Sequence, residues 1–254
     1  MKTANNTYSK KLVSAAEQFL EGLNHLLWPA VCLCCGQGTA SGDDKLCENC
    51  WAGLMSAAGD QYCRSCGTEI SEYGISDGSC NRCSGLQYEF DSLARCGIYT
   101  DTLRTMILAF KNGRTELNTF LGKLAESALL GGGFSNEVDL FVPVPLHWRR
   151  RFRRGYNQSA LIAGKLAKEK AKISTDLVRV RYTRRQPMME TFAARVRNVA
   201  GAFAVRRRNK FTGKKVCLVD DIKTSGATLN ECAKVLKQAG AIQVYAVVLA
   251  VAGN

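Results

Sequence analysis

No stretch of the 254-residue chain approaches the ~20 uninterrupted apolar residues that a membrane-spanning helix requires, so no integral membrane segment is expected. A signal-peptide core is lacking too. Residues 12–28 carry Leu12, Val13, Ala16, Phe19, Leu20, Leu23, Leu26 and Leu27 on one side, but Glu17 and Glu21 interrupt the run. An N-terminal docking helix within residues 1–30 is the expected form, with association at a membrane surface as the alternative. Acidic residues are nearly missing from residues 147–215, where 21 basic groups face 3 acidic ones. That segment alone carries +18, more than the +13 of the whole chain. Such a concentration makes a positive field suited to phosphorylated ligands or nucleic acid.

Cysteine, by contrast, is abundant. Eight of the 12 cysteines fall in four C-x-x-C pairs, Cys32/Cys35, Cys47/Cys50, Cys63/Cys66 and Cys80/Cys83, within residues 31–90. A C-x-x-C turn points two thiolates at one ion, and two such turns complete a tetrahedral four-cysteine zinc site. Eight ligands make two structural zinc sites, and metal suits this spacing better than disulfides or free thiols do. The spacers favour sequential pairing, first pair with second and third with fourth, although interleaved pairing also satisfies the count. Cys34, inside the first turn, is an alternative ligand to Cys35. The segment has few apolar residues, so metal should supply much of its folding free energy. Eight cysteines used this way, rather than in disulfides, fit the reducing cytoplasm. Cys96, Cys217 and Cys232 lie outside the pairs and read as core residues.

Near the C-terminal end, the apolar run Val216-Cys217-Leu218-Val219 reads as a buried strand that stops at Asp220-Asp221. A run of small and hydroxyl residues follows, Lys223 to Thr228, and then a helix from Leu229 to Ala239 closed by Gly240. A helix N-terminus offers unpaired N–H groups and the positive end of its dipole, and Thr224, Ser225 and Thr228 add hydroxyls around Gly226. The loop from Lys223 through Ala227 to Thr228 therefore suits a phosphate monoester. Asp220 and Asp221, as candidate catalytic groups, can take the vicinal hydroxyls of a ribose, directly or through Mg²⁺. These residues resemble the phosphoribosyl diphosphate signature of type I phosphoribosyltransferases. Lys223 puts a cation beside the acids, which either assists phosphate binding or weakens a Mg²⁺ site.

Between these two regions, a strand is expected over 93–100, helices over 101–110 and 116–130, and a strand over 138–142 leading into Pro143 and Pro145. Beyond it, Arg149, Arg150, Arg151, Arg153 and Arg154 interleave with Trp148, Phe152 and Tyr156 before a helix that runs to about Lys172. That mixture can clamp a diphosphate, hold a nucleic-acid backbone while stacking bases, or stand as a solvated basic loop. Residues 179–205 are polar and basic enough to suggest a flap over a site rather than a core element. The last strand is expected over 244–251. Alternation of strands and helices from residue 91 to 254 implies an α/β fold with a mainly parallel sheet.

The four C-x-x-C turns, the Val142-Pro-Val-Pro-Leu146 to Arg154-Gly-Tyr-Asn-Gln158 run, the pattern Arg181/Thr183/Gln186/Arg195/Asn198/Phe203 and the Asp-Asp loop together resemble the ComF family over residues 31–254. The resemblance implies a type I phosphoribosyltransferase fold, a mainly parallel sheet flanked by helices, behind a small N-terminal zinc-ribbon module. It assigns Arg151, Arg154 and Asn157 to the substrate, phosphoribosyl diphosphate. It also implies a cytoplasmic protein linked to natural competence or nucleotide salvage, with single-stranded DNA and other competence proteins as partners. Two functions follow, a phosphoribosyltransferase or a non-catalytic DNA-binding module that keeps the pocket. No side chain stands out as a general base.

Overall fold

The computed structural model describes residues 30–39, 45–59, 61–70, 75–76, 79–81, 83, 86–167, 171–184, 191–207 and 210–252. The expected docking helix lies outside them, as does Gln186. Two compact units divide between Ala52 and Gly53.

In chain order the elements are α1 (Glu48–Ala58), β1 (Ile75–Ser76), β2 (Ser79–Cys80), β3 (Ser92–Ile98), α2 (Asp101–Lys111), α3 (Leu117–Gly131) and β4 (Leu140–Pro143). They continue with α4 (Trp148–Arg154), α5 (Gln158–Leu166), β5 (Lys172–Ile173), β6 (Leu177–Arg179), α6 (Phe192–Val199), β7 (Phe203–Val205), β8 (Lys215–Lys223), α7 (Ala227–Gln238) and β9 (Gln243–Val251). Five strands form one sheet in the order β3-β9-β8-β4-β5, and every pairing in it is parallel. This is the expected α/β architecture.

β9 sits second from one edge because its residues from Val244 onward are all buried and rich in β-branched side chains, as a strand covered on both faces requires. Alternate residues of β8 and β9, Val216, Leu218, Val244, Ala246 and Val248, share one core with Leu229, Cys232, Ala233 and Leu236 of α7. On α2 the stripe Leu103, Met106, Ile107 and Phe110 is fully buried. Gly122 lets α3 approach α5, since a Cβ there would meet the Lys165 side chain at 2.6 Å.

Three expectations change. β8 does not stop before the acids but runs through them to Lys223, because Asp220 and Ile222 still pair with Val248 and Ala250 of β9. α5 ends at Leu166 rather than near Lys172, with Ala167 extended and Lys172-Ile173 drawn into the sheet edge beside β4. The basic segment 179–205 is not wholly a flap: β6 and β7 pair antiparallel, and Leu177, Thr183, Val199, Ala202 and Phe203 are buried. Val199, Ala202 and Phe203 join the main core, whereas Val180, Tyr182, Phe192 and Val196 stay exposed.

The cysteine turns repeat a local geometry. Gly36 follows Cys35 at φ 78° and donates to the Cys32 carbonyl, and Gly67 follows Cys66 at φ 73° and donates to the Cys63 carbonyl. Only glycine takes that backbone cheaply. The second of these turns is fixed to the sheet, because Leu93 N–H donates to the Arg64 carbonyl at 2.7 Å. A Cβ on Gly67 would lie 2.7 Å from Leu93 and from Val251.

Candidate ribose-phosphate site and zinc centres

β8 carries Asp220 and Asp221 to one end of the sheet, where β4 also terminates: Pro143 pairs with Val219, and Val144 N–H donates to the Val219 carbonyl. Asp220 Oδ1 accepts from the Ser159 hydroxyl at 3.1 Å and from the Asp221 N–H at 2.9 Å. Burial, together with the neighbouring Asp221 charge, pushes the Asp220 carboxyl up to about 7. Asp221 is held from elsewhere, by Lys111 Nζ at 2.8 Å.

After β8 the chain turns through Thr224 and Ser225 into Gly226, which caps α7 in the left-handed region at φ 80°. Ser225 Oγ accepts from the Ala227 N–H at 3.4 Å. Lys223 is buried beneath this turn with its ammonium 5.5 Å from the centre of the Tyr88 ring. A Cβ on Gly226 would meet Lys223 Cε at 3.0 Å and Tyr88 Cε1 at 3.1 Å. One residue beyond Tyr88, the Glu89 N–H donates to Asn230 Oδ1 on α7 at 2.6 Å.

The arginine-rich run forms helix α4 rather than a loop. Arginine is a good helix former, His147 Nδ1 caps the start by accepting from the Arg149 N–H, and Gly155 ends it at φ 84°. Burial and the charges of Arg149, Arg179 and Arg150 hold the His147 imidazole below its ordinary pKa. The residues that follow are bound within the fold. Tyr156 donates its hydroxyl to the Phe110 carbonyl. Asn157 caps α5 by accepting from Ser159 N–H and donates to the Val144 carbonyl at 3.0 Å. Gln158 accepts from Arg154 at 2.6 Å.

A single cavity of about 520 Å³ joins these parts. Asp220, Asp221, Lys223, Thr224, Gly226 and Thr228 line it, and Arg150, Arg153, Arg154 and Arg179 form another part of its wall. Ser225 lines a smaller cavity beside Cys66 and Tyr88. Arg151 is exposed and lies outside the large cavity's lining, and Ala227 and Asn157 are likewise not on it. Lys111, Ser159 and Arg179 are the residues that sequence reasoning missed. Their signals are spatial: each lies far from the Asp-Asp loop along the chain.

The cysteines group sequentially, Cys32, Cys35, Cys47 and Cys50 in one cluster and Cys63, Cys66, Cys80 and Cys83 in the other, with all sulfurs of a cluster within 4.8 Å. Cys35, not Cys34, completes the first; the Cys34 N–H instead donates to Cys32 Sγ. A tetrahedral zinc with Zn–S of about 2.3 Å sets its sulfurs about 3.8 Å apart. Observed separations are 3.7 Å for Cys35 to Cys47, 3.6 Å for Cys63 to Cys83 and 3.4 Å for Cys66 to Cys80. Both donor sets fit a structural zinc ion.

Residues 23–84 match the double zinc ribbon domain and residues 156–254 the phosphoribosyl transferase domain. Competence protein F of Haemophilus influenzae is 29% identical over 223 residues, covering 84% of this chain and 94% of that protein. DNA utilization protein YhgH of Escherichia coli K12 is 28% identical over 222 residues, covering 85% and 94%. Competence protein ComFC of Bacillus subtilis is 27% identical over 206 residues, covering 78% and 80%. Fold, cavity and cysteine clusters thus define a phosphoribosyltransferase-type domain combined with a double zinc ribbon. The chain belongs to the ComF/YhgH family. Among the described residues, no helix is long and apolar enough to cross a membrane.

Proposed function

We propose that the cavity binds phosphoribosyl diphosphate and that the protein acts in the cytoplasm in DNA uptake or nucleotide salvage. The observation that carries this reading is the continuity of one cavity from the hydroxyl-lined loop at the start of α7, past the carboxylates of β8, to a wall of arginines. The 5′-phosphate lies on residues 224–228, where N–H groups and the helix dipole meet it. Asp220 and Asp221 accept the two ribose hydroxyls. The arginines take the diphosphate, whose developing charge they stabilise as the bond to C1 breaks and a nitrogen nucleophile attacks.

Magnesium, when bound with the diphosphate, neutralises leaving-group charge. Lys111 already sits on Asp221, so the acids fit such an ion only together with oxygens of the ligand, the usual habit of Mg²⁺. Calorimetric titration with phosphoribosyl diphosphate tests the reading, alongside release of diphosphate across a panel of bases. No heat of binding at any metal concentration sinks it; binding without release for any base leaves a binding module.

That second outcome has support of its own. Trp148 is 66% and Phe152 89% exposed on α4, and the Arg149 guanidinium lies over the Trp148 ring at 5.3 Å. Exposed rings among arginines suit stacking of single-stranded DNA, in keeping with the names of the relatives. Competence proteins that deliver such a strand are the partners this reading implies.

A further inference from the structure

Arg179 emerges from β6, in the segment that the sequence presents as a flap, and its guanidinium reaches the same cavity wall as Arg150 of α4. One buried residue holds both. Arg150 donates to the Thr183 carbonyl at 2.6 Å, and Arg179 donates to the Thr183 hydroxyl. Thr183 is itself 3% exposed, and the far side of Arg179 is packed over the Phe203 ring at 5.0 Å. Two cations are therefore braced side by side through neutral oxygens, and neither is ion-paired among the described residues. Burial and the Arg150 charge lower the Arg179 pKa, as expected for like charges held close in a buried place. Two buried donors on the same wall, Arg179 Nε and Gln158 Nε2, find no acceptor. Fixed like charges with spare donors are favourable only when an anion joins them.

We propose that Arg150 and Arg179, cross-braced by Thr183, form the fork that binds the diphosphate group, with Gln158 as an additional donor. Thr183 is a positioning residue that never touches the ligand; it fixes two guanidinium groups at one cavity, each able to take oxygens of a diphosphate. Arg151, exposed outside the cavity lining, is left for other contacts. The assignment also gives segment 179–205 a second role, since it supplies half of the anion site from β6. It rests on the phosphoribosyl diphosphate reading of the cavity.

The test uses the full, zinc-loaded chain and two separate probes, inorganic diphosphate and ribose 5-phosphate, titrated by calorimetry. Arg179→Met should weaken diphosphate binding roughly 10- to 100-fold while ribose 5-phosphate affinity changes less than about twofold. Arg179→Lys should recover only part, because an ammonium cannot replace the fork. Thr183→Val should weaken diphosphate binding and Thr183→Ser restore it, a rescue that a purely structural role would not require. Zinc content and melting temperature identify any variant that fails to fold, and the Thr183→Ser and Arg179→Lys proteins then carry the comparison. Ribose 5-phosphate binding with wild-type diphosphate affinity in Arg179→Met overturns the fork alone. Failure of the wild-type protein to bind either probe overturns the cavity reading and the fork with it.

Discussion

Lys111 Nζ lies 2.8 Å from Asp221 Oδ1, an ion pair between the last residue of α2 and the acidic pair of β8. The end of that helix is pinned by the Tyr156 hydroxyl on the Phe110 carbonyl, so the cation is placed by a residue 45 positions further along. Its charge also steadies Asp220, lowering a carboxyl that burial and Asp221 push up to about 7.

Removal of that cation should be visible in pH dependence. Asp220 must be ionised to accept ribose hydroxyls, so ribose 5-phosphate affinity should rise as pH increases through about 7. Lys111→Met should move the midpoint upward and cost severalfold affinity at neutral pH, whereas Asp220→Asn should bind weakly with a flat profile. The stability effect has the opposite sign. A carboxyl whose folded pKa is raised stabilises the fold fully only below its unfolded value of 3.8, and that contribution is lost as pH rises through about 7. Titrations between about pH 6 and about pH 8 bracket the change and avoid acid release of cysteine-bound metal. Superimposable profiles for wild type and Lys111→Met would remove the coupling.

Gly226→Ala probes the phosphate loop. The left-handed backbone costs a side chain about 1–2 kcal/mol, and the new Cβ would press on Lys223 and Tyr88 at about 3 Å. Loss of ribose 5-phosphate affinity with a melting temperature lowered by several degrees is expected. Wild-type affinity in this variant would mean that the loop does not hold the phosphate.

Metal analysis of protein purified without chelators should give about two zinc ions per chain. Cys47→Ser and Cys66→Ser should each lose one. The Cys66 variant should also depress ribose 5-phosphate binding, because the second cluster neighbours Tyr88 under Lys223 and Gly226. Full zinc content in either variant would exclude that cysteine as a ligand.

For the DNA reading, Trp148→Ala with Phe152→Ala should reduce single-strand affinity tenfold or more, since each stacked base contributes about 1–3 kcal/mol. Arg149→Ala with Arg151→Ala should flatten the log–log salt slope by up to about 0.7 for each phosphate that is no longer neutralised. Diphosphate affinity should hold in both pairs. An unaltered slope and affinity would take the nucleic acid away from α4.

What was legible in the sequence was local. Four C-x-x-C turns state their own chemistry, and the β8–loop–α7 motif keeps its acids, hydroxyls and glycine within nine residues, Asp220 to Thr228. β9 announces itself because a doubly covered strand is apolar throughout. Lys111 reads only as a helix-stopping residue, since nothing near it along the chain shows that α2 ends over Asp221. Arg179 was hidden among other arginines, and the hairpin that buries Leu177 and Phe203 depends on pairing across an intervening helix. The Arg154 to Gln158 run was recognisable but ambiguous: Gly155, Tyr156 and Asn157 end, pin and cap helices, and such duties leave the same imprint as ligand contact.

The bond from Leu93 to Arg64, the contact of Gly67 with Val251 and the seat of Tyr88 under Gly226 all cross the interval between the second cysteine cluster and the sheet. A shortened chain beginning at residue 91 would expose the edge strand β3 and leave the phosphate loop without its aromatic floor. Anyone isolating the catalytic-looking half for crystallography or screening should therefore start upstream of Cys63 and keep metal in the growth medium. Trimming to the sheet alone should give an aggregating product whose inactivity says nothing about its chemistry.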